Sequence, residues 1–138
     1  MNLVFSTTGF QGFNSTNYVI NEANVGDWKI PDGEIDSIFI DMCFHLVQVP
    51  KIIEILNDIY MKMKPEGILK ISCSDIYQIA HKMHRRDIDE GYMNTIMYSA
   101  GQKNCLSSLF FVQTCLEIGF KKKFVGFNDV VVQLEFVK

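Results

Sequence analysis

Residues 35–75 constrain the fold more than any other stretch of the chain. A hydrophobic segment, SIFID at 37–41, comes first. About eight residues later an amphipathic pattern begins and runs over 49–63, with Val49, Ile52, Ile53, Leu56, Ile59, Tyr60 and Met63 recurring at three- and four-residue spacing. Pro50 suits the first helical turn, where a missing N–H costs nothing, and Lys62 and Lys64 complement the negative end of the helix dipole. A Lys-Pro-Glu-Gly stop at 64–67 follows, with Gly67 expected to open the turn into a second hydrophobic segment at 68–72. Strand, helix and strand in this order make a βαβ unit. The weak polar alternation of both strands predicts that both faces of the sheet are covered. Asp41, Cys43, His45, Ser72, Cys73, Ser74 and Asp75 then fall near the carboxyl ends of parallel strands, the edge where open α/β sheets bind ligands.

The remainder arranges itself around that unit. A length of 138 residues allows one core, so a single domain over 1–138 is expected. Residues 3–5 and 18–20 read as short strands, separated by a Gly- and Ser/Thr-rich loop from Ser6 to Ser15. Residues 21–36 carry turn chemistry, so the N-terminal quarter lacks a full helical crossover. Ser74 or Asp75 can cap a helix with Ile76, Ile79, Ala80 and Met83 inward. Residues 85–102 form an excursion over the ligand edge, with a short helix near 92–98. Ser107 or Ser108 caps another helix, whose apolar side is Leu109, Val112, Leu116 and the neighbouring Phe residues and whose end is marked by Gly119. Residues 120–127 and 130–137, divided by Asn128-Asp129, read as an antiparallel hairpin closing the sheet.

Composition narrows the function classes. A net charge of −3 argues against a nucleic-acid-binding domain, which usually has a basic face. No apolar run approaches a membrane span, and MNLVFSTTGF has neither a basic leader nor a cleavage pattern. The four cysteines form no CxxC and sit in apolar segments, as reduced, buried thiols of a cytoplasmic protein would. Seven Met and eleven Phe point to a soft core or to an apolar face used in a homo-oligomer.

Four passages, taken in order, resemble the class I S-adenosylmethionine-dependent methyltransferases in a compact form. They are Val25-Gly26-Asp27-Trp28 with Ile30-Pro31-Asp32-Gly33-Glu34-Ile35-Asp36; Phe44-His45-Leu46; the helix–turn–strand from Leu56 through Lys64-Pro65-Glu66-Gly67 to Ser72; and Leu116-Glu117-Ile118-Gly119-Phe120 before the hairpin. The resemblance implies a Rossmann-like α/β fold, mostly parallel with a C-terminal antiparallel hairpin and truncated on the N-terminal side. It also implies S-adenosylmethionine as cofactor, held by Ser6, Gly9 and Gly12 of the first loop, by Asn21 or Glu22 on the ribose and by Asp27 on the adenine. The family's first loop carries an acidic residue and three glycines. Here the acid is missing and two glycines remain, where a backbone without Cβ atoms would approach the cofactor.

Asp41 and His45 could orient or deprotonate an acceptor hydroxyl, a role that suits an imidazole titrating near neutrality; the alternative is a His packed at a strand-to-helix junction. No local spacing supports a metal site built from Asp41, His45, Cys73 and Asp75. His81, His84, Arg85 and Arg86 make a polar, weakly basic helix face. Two functions are expected to compete. One is methyl transfer to a small-molecule or sugar-like acceptor. The other is a non-catalytic binding or scaffolding module that has kept the sheet and lost the cofactor.

Overall fold

The computed structural model describes residues 1–6, 16–19, 29–98 and 102–138. Six strands, β1 (Asn2–Ser6), β2 (Thr16–Val19), β3 (Ile35–Asp41), β4 (Met63–Ser74), β5 (Lys121–Asn128) and β6 (Val131–Val137), form one sheet in the order β2-β1-β3-β4-β6-β5. The pairs β1/β2, β1/β3 and β3/β4 are parallel; β4/β6 and β5/β6 are antiparallel. The Rossmann-like, mostly parallel sheet and its closing hairpin are thus observed. The last strand inserts beside β4, and β5, with exposed Lys121, Lys122 and Lys123, forms the outer edge.

Helix α1 (Val49–Lys62) carries Pro50 in its first turn and buries Ile52, Ile55, Leu56 and Ile59. Ile53, assigned to the inner face by its spacing, is exposed instead. Helix α4 (Ser108–Ile118) is capped by the Ser107 hydroxyl, which accepts from Phe110 N at 3.2 Å, and ends at Gly119 with φ 120°. A Cβ at Gly119 would lie 3.0 Å from the Tyr60 hydroxyl, so the position demands glycine twice over. The buried side of α4 is Phe111, Thr114 and Cys115, while Leu109 and Leu116 face outward. The expected face is therefore corrected at Leu109 and Leu116, while Phe111 is buried and Phe110 and Val112 pack against the core. The helix is apolar almost all round, and the packing of Phe111 on Phe44, with ring centroids 5.5 Å apart, fixes its rotation.

These two helices lie on one face of the sheet. Their buried residues form a single cluster with Leu3, Phe5, Ile38, Ile40, Leu69, Ile71, Cys73, Val132, Leu134 and Phe136, which occupy matching register positions across four strands. The opposite face carries Ser37, Phe39, Lys70, Gln133, Glu135 and Phe124, half-buried or exposed, with Phe124 at 52%. Of the described residues on this face, Val4 and Ser72 are buried as expected, while Lys70, Gln133 and Phe124 are exposed. Polar alternation is present in β6, with Gln133 and Glu135 between buried neighbours, and in part of β3, with Ser37 beside buried Ile38, but it is diluted by Phe39 and the valines.

The Lys-Pro-Glu-Gly stop also differs from expectation. Strand β4 begins directly at the end of α1. Its register to β3 slips between Ile35/Met63 and Ser37/Ile68, so residues 64–67 bulge out of the ladder. The left-handed residue is Glu66, at φ 62°, and not Gly67. Gly67 is required for a different reason: a Cβ there would meet Lys64 O at 2.9 Å and Asp36 O at 3.3 Å. Glu66 N donates to Lys138 O and Lys138 N to Gly67 O, which ties the bulge to β6.

Candidate functional site

The carboxyl tips of the parallel strands come together as the sequence implied. Ser6 pairs with Val19 and with Asp41, and Asp41 with Ser72, so the tips of β2, β1, β3 and β4 form one row. Beyond Asp41 the backbone turns sharply through Met42 (φ 50°), whose N–H donates to Ser72 O at 2.9 Å. The Cys43 thiol contacts Phe5 O at 3.2 Å and Asp41 O at 2.9 Å, which ties the tip of β3 to that of β1. A short 3-10 turn, Phe44–Leu46, then carries His45.

His45 is half-buried, and burial pushes its pKa below the ordinary imidazole value, so near neutral pH it is an uncharged ring able to accept a proton. No hydrogen bond or ion pair joins it to Asp41 among the described residues, so the structure places the two predicted residues at one edge without coupling them. The thiols are poor nucleophiles. Burial raises Cys43, Cys73 and Cys115 to about 12, and it raises Cys105 as well, helped there by the Asp75 carboxylate. Gly9, Gly12, Asn21, Glu22 and Asp27, together with the side chain of Ser6, lie outside the described residues.

Contacts that the sequence does not announce hold this edge in place. Asp75, buried, does more than cap α2 (Ile76–His84). Its Oδ1 accepts from Tyr77 N at 2.8 Å and Gln78 N at 3.4 Å, while its Oδ2 accepts from Ser108 N at 3.0 Å. One carboxylate thus serves the positive ends of two helices. Only Ile79 of α2 is buried, so the predicted inner positions Ala80 and Met83 are not core. Helix α3 (Glu90–Met97), capped by Asp89, fills the middle of the predicted excursion. The segment after it straps the His45 turn: Lys103 N donates to His45 O at 2.7 Å, and the Asn104 amide donates to Phe44 O and Val47 O. These contacts span some sixty residues, and a polar loop residue such as Asn104 gives no local signal of them. On this side of His45 the space among Phe44, Cys73, Asn104, Cys105 and Phe111 is only about 10 Å³, room for a single water.

This ordered row of tips, with its antiparallel last strand inserted beside β4, defines the class I S-adenosylmethionine-dependent methyltransferase fold. Similar solved structures include S-adenosylmethionine-dependent methyltransferases from Archaeoglobus fulgidus (13% identity, TM-score 0.68, covering 99% of this chain and 86% of that one) and Aquifex aeolicus (13%, 0.61, 99% and 81%). A third, from Mesorhizobium loti, is 12% identical with a TM-score of 0.64, covering 94% of this chain and 72% of its own. At such identities the likeness is one of fold. No family model and no curated protein sequence matches the chain.

Proposed function

We propose that the chain is a single-domain, cytoplasmic S-adenosylmethionine-dependent methyltransferase acting on a small-molecule or sugar-like acceptor. The observation that carries this reading is the row Ser6–Asp41–Ser72 at the carboxyl edge, in a fold shared with methyltransferases. In this reading the segments containing Ser6, Gly9 and Gly12, Asn21 or Glu22, and Asp27 hold the cofactor. The bound sulfonium supplies an electrophilic methyl group, so the protein has mainly to position the acceptor. Asp41 orients an acceptor hydroxyl or amine beside the tip of β3. Neutral His45, kept uncharged by burial, takes up the proton released on transfer. Among the described residues, no helix is long and apolar enough to cross a membrane.

The non-catalytic alternative draws support from the side-chain-filled space beside His45. Calorimetric titration with S-adenosylmethionine and S-adenosylhomocysteine separates the two readings. Saturable heat at micromolar ligand is expected, and a flat isotherm at millimolar ligand overturns the enzyme in favour of the binding module.

A further inference from the structure

The turn that carries His45 cannot hold itself. It is a single 3-10 turn, Phe44–Leu46, and so short a turn fixes its backbone for very few internal hydrogen bonds. The chain enters it through Met42 at φ 50°, a left-handed conformation that a residue with a side chain keeps only where its surroundings over-determine it. They do so from both ends. On the entry side Met42 N donates to Ser72 O, and the Cys43 thiol meets Phe5 O. On the exit side the bonds come from two consecutive residues: Lys103 N donates to His45 O at 2.7 Å, and the half-buried Asn104 amide donates to Phe44 O at 2.8 Å and to Val47 O. Only the NH2 end of an amide can serve two carbonyl oxygens, and its two hydrogens match those two acceptors. The segment is fixed at its far end as well. Leu106 O accepts from Ile76 N at 3.1 Å and Ser108 N donates to Asp75, so Asn104 is held between the tips of β3 and β4.

We propose that Asn104 is a positioning residue for His45: its amide fixes the turn so that the imidazole stands at the carboxyl edge ready to receive the acceptor's proton. This rests on the methyl-transfer reading above, and Asn104 acts in it only through the turn. The same clamp keeps the ring half-buried. The space shared by Phe44, His45, Cys73, Asn104 and Cys105 holds one water at most, and a released turn opens it to solvent. The titratable groups about the turn are Asp41 at the tip of β3, Cys73 of β4, Asp75 before α2, and Lys103 and Cys105 beside Asn104. Burial, and none of these, lowers the imidazole pKa, so a ring freed into solvent returns towards its ordinary value of 6.5.

Imidazole NMR titration of the full chain tests this without cofactor or acceptor, with His45→Gln assigning the resonance. Asn104→Leu keeps the volume and removes both donors, and His45 is expected to titrate closer to 6.5 than in the wild type. Asn104→Gln carries the same amide on a longer stem and should restore part of the wild-type behaviour. Should the Leu variant fail to fold by circular dichroism, Asn104→Ser, which keeps one donor, should move the imidazole in the same direction by less. Methyl transfer from tritiated S-adenosylmethionine gives a second readout. A base must shed its proton before it can act, so the acidic limb of the pH–rate profile should move to higher pH in Asn104→Leu, with KM for the cofactor unchanged. Folded variants in which His45 titrates as in the wild type, or Leu and Gln variants that behave alike, overturn the proposal. So does a lowered urea midpoint with no change in the titration, which assigns Asn104 to the fold alone. A flat calorimetric isotherm with S-adenosylmethionine overturns the methyl-transfer reading, and the catalytic half of this proposal with it, even where the titration shows the amide holding the ring.

Discussion

The two faces of this sheet are built from the same strands, often from adjacent residues, and end in different states. Leu69 is fully buried, while Lys70 beside it is exposed; Leu134 and Phe136 are core, while Glu135 between them carries two ion pairs. What separates the faces is what covers them. Helices α1 and α4 seal one side, where burial of each large side chain contributes about 1.5–3 kcal/mol. On the other side the described residues of β4, β5 and β6 include a half-exposed Phe124 and the ion pairs of Glu135, exposed pairs being worth about 1 kcal/mol or less. Among the described residues, stability is therefore concentrated on one side of a two-sided element.

The sharpest way to break this contrast is a matched pair of truncations. Phe136→Ala should cost about 3–5 kcal/mol in urea unfolding, because a dry cavity opens between β6 and α4. Phe124→Ala, measured in dilute solution, should cost about 1 kcal/mol or less. Equal losses would mean that both faces are core. Next in size is Asp75→Ala, which strips a cap from α2 and from α4 together. A loss of about 2–3 kcal/mol is expected, with Asp75→Asn intermediate because it keeps one acceptor oxygen. A loss no larger than that of an ordinary surface substitution would show that the two helices do not share this anchor.

The smallest effect is electrostatic. Lys123 and Lys70 beside Glu135 hold its carboxyl below the usual value of 4.5, and Lys64 beside Asp36 holds that group at about 2. A depressed folded-state pKa adds stability above the unfolded value, and this is lost as pH falls through the folded one. The wild type should therefore exceed Glu135→Gln slightly at pH 7, with the difference shrinking as the pH drops below about 4.5. A difference that persists at pH 2 would assign the role of Glu135 to packing.

Much of this architecture could be read from the chain, and the gaps have physical causes. The β3–α1–β4 core was legible because a hydrophobic strand, an N1 proline and a 3.6-residue period all agree. The rotation of α4 was not, since a helix apolar on nearly every side has no period to read. The partial exposure of Val131 and Val137 was hidden because valines look like core residues, and partial burial cannot be told from full burial by residue type alone. At the site, Asp41 and His45 follow from strand ends. The strap through Lys103 and Asn104 is long-range and leaves no trace in local spacing. The dual reach of Asp75 has the same cause, for a capping residue announces the helix it precedes and says nothing of a second one more than thirty residues away.

The outermost strand shows how an exposed sheet edge is kept from uncontrolled growth. Three consecutive ammonium groups at the start of β5 fringe the only described strand rim made by this hairpin, and a second sheet approaching edge-on would have to bury like charges against its own backbone dipoles. Lateral extension of the sheet into ribbons is thereby discouraged.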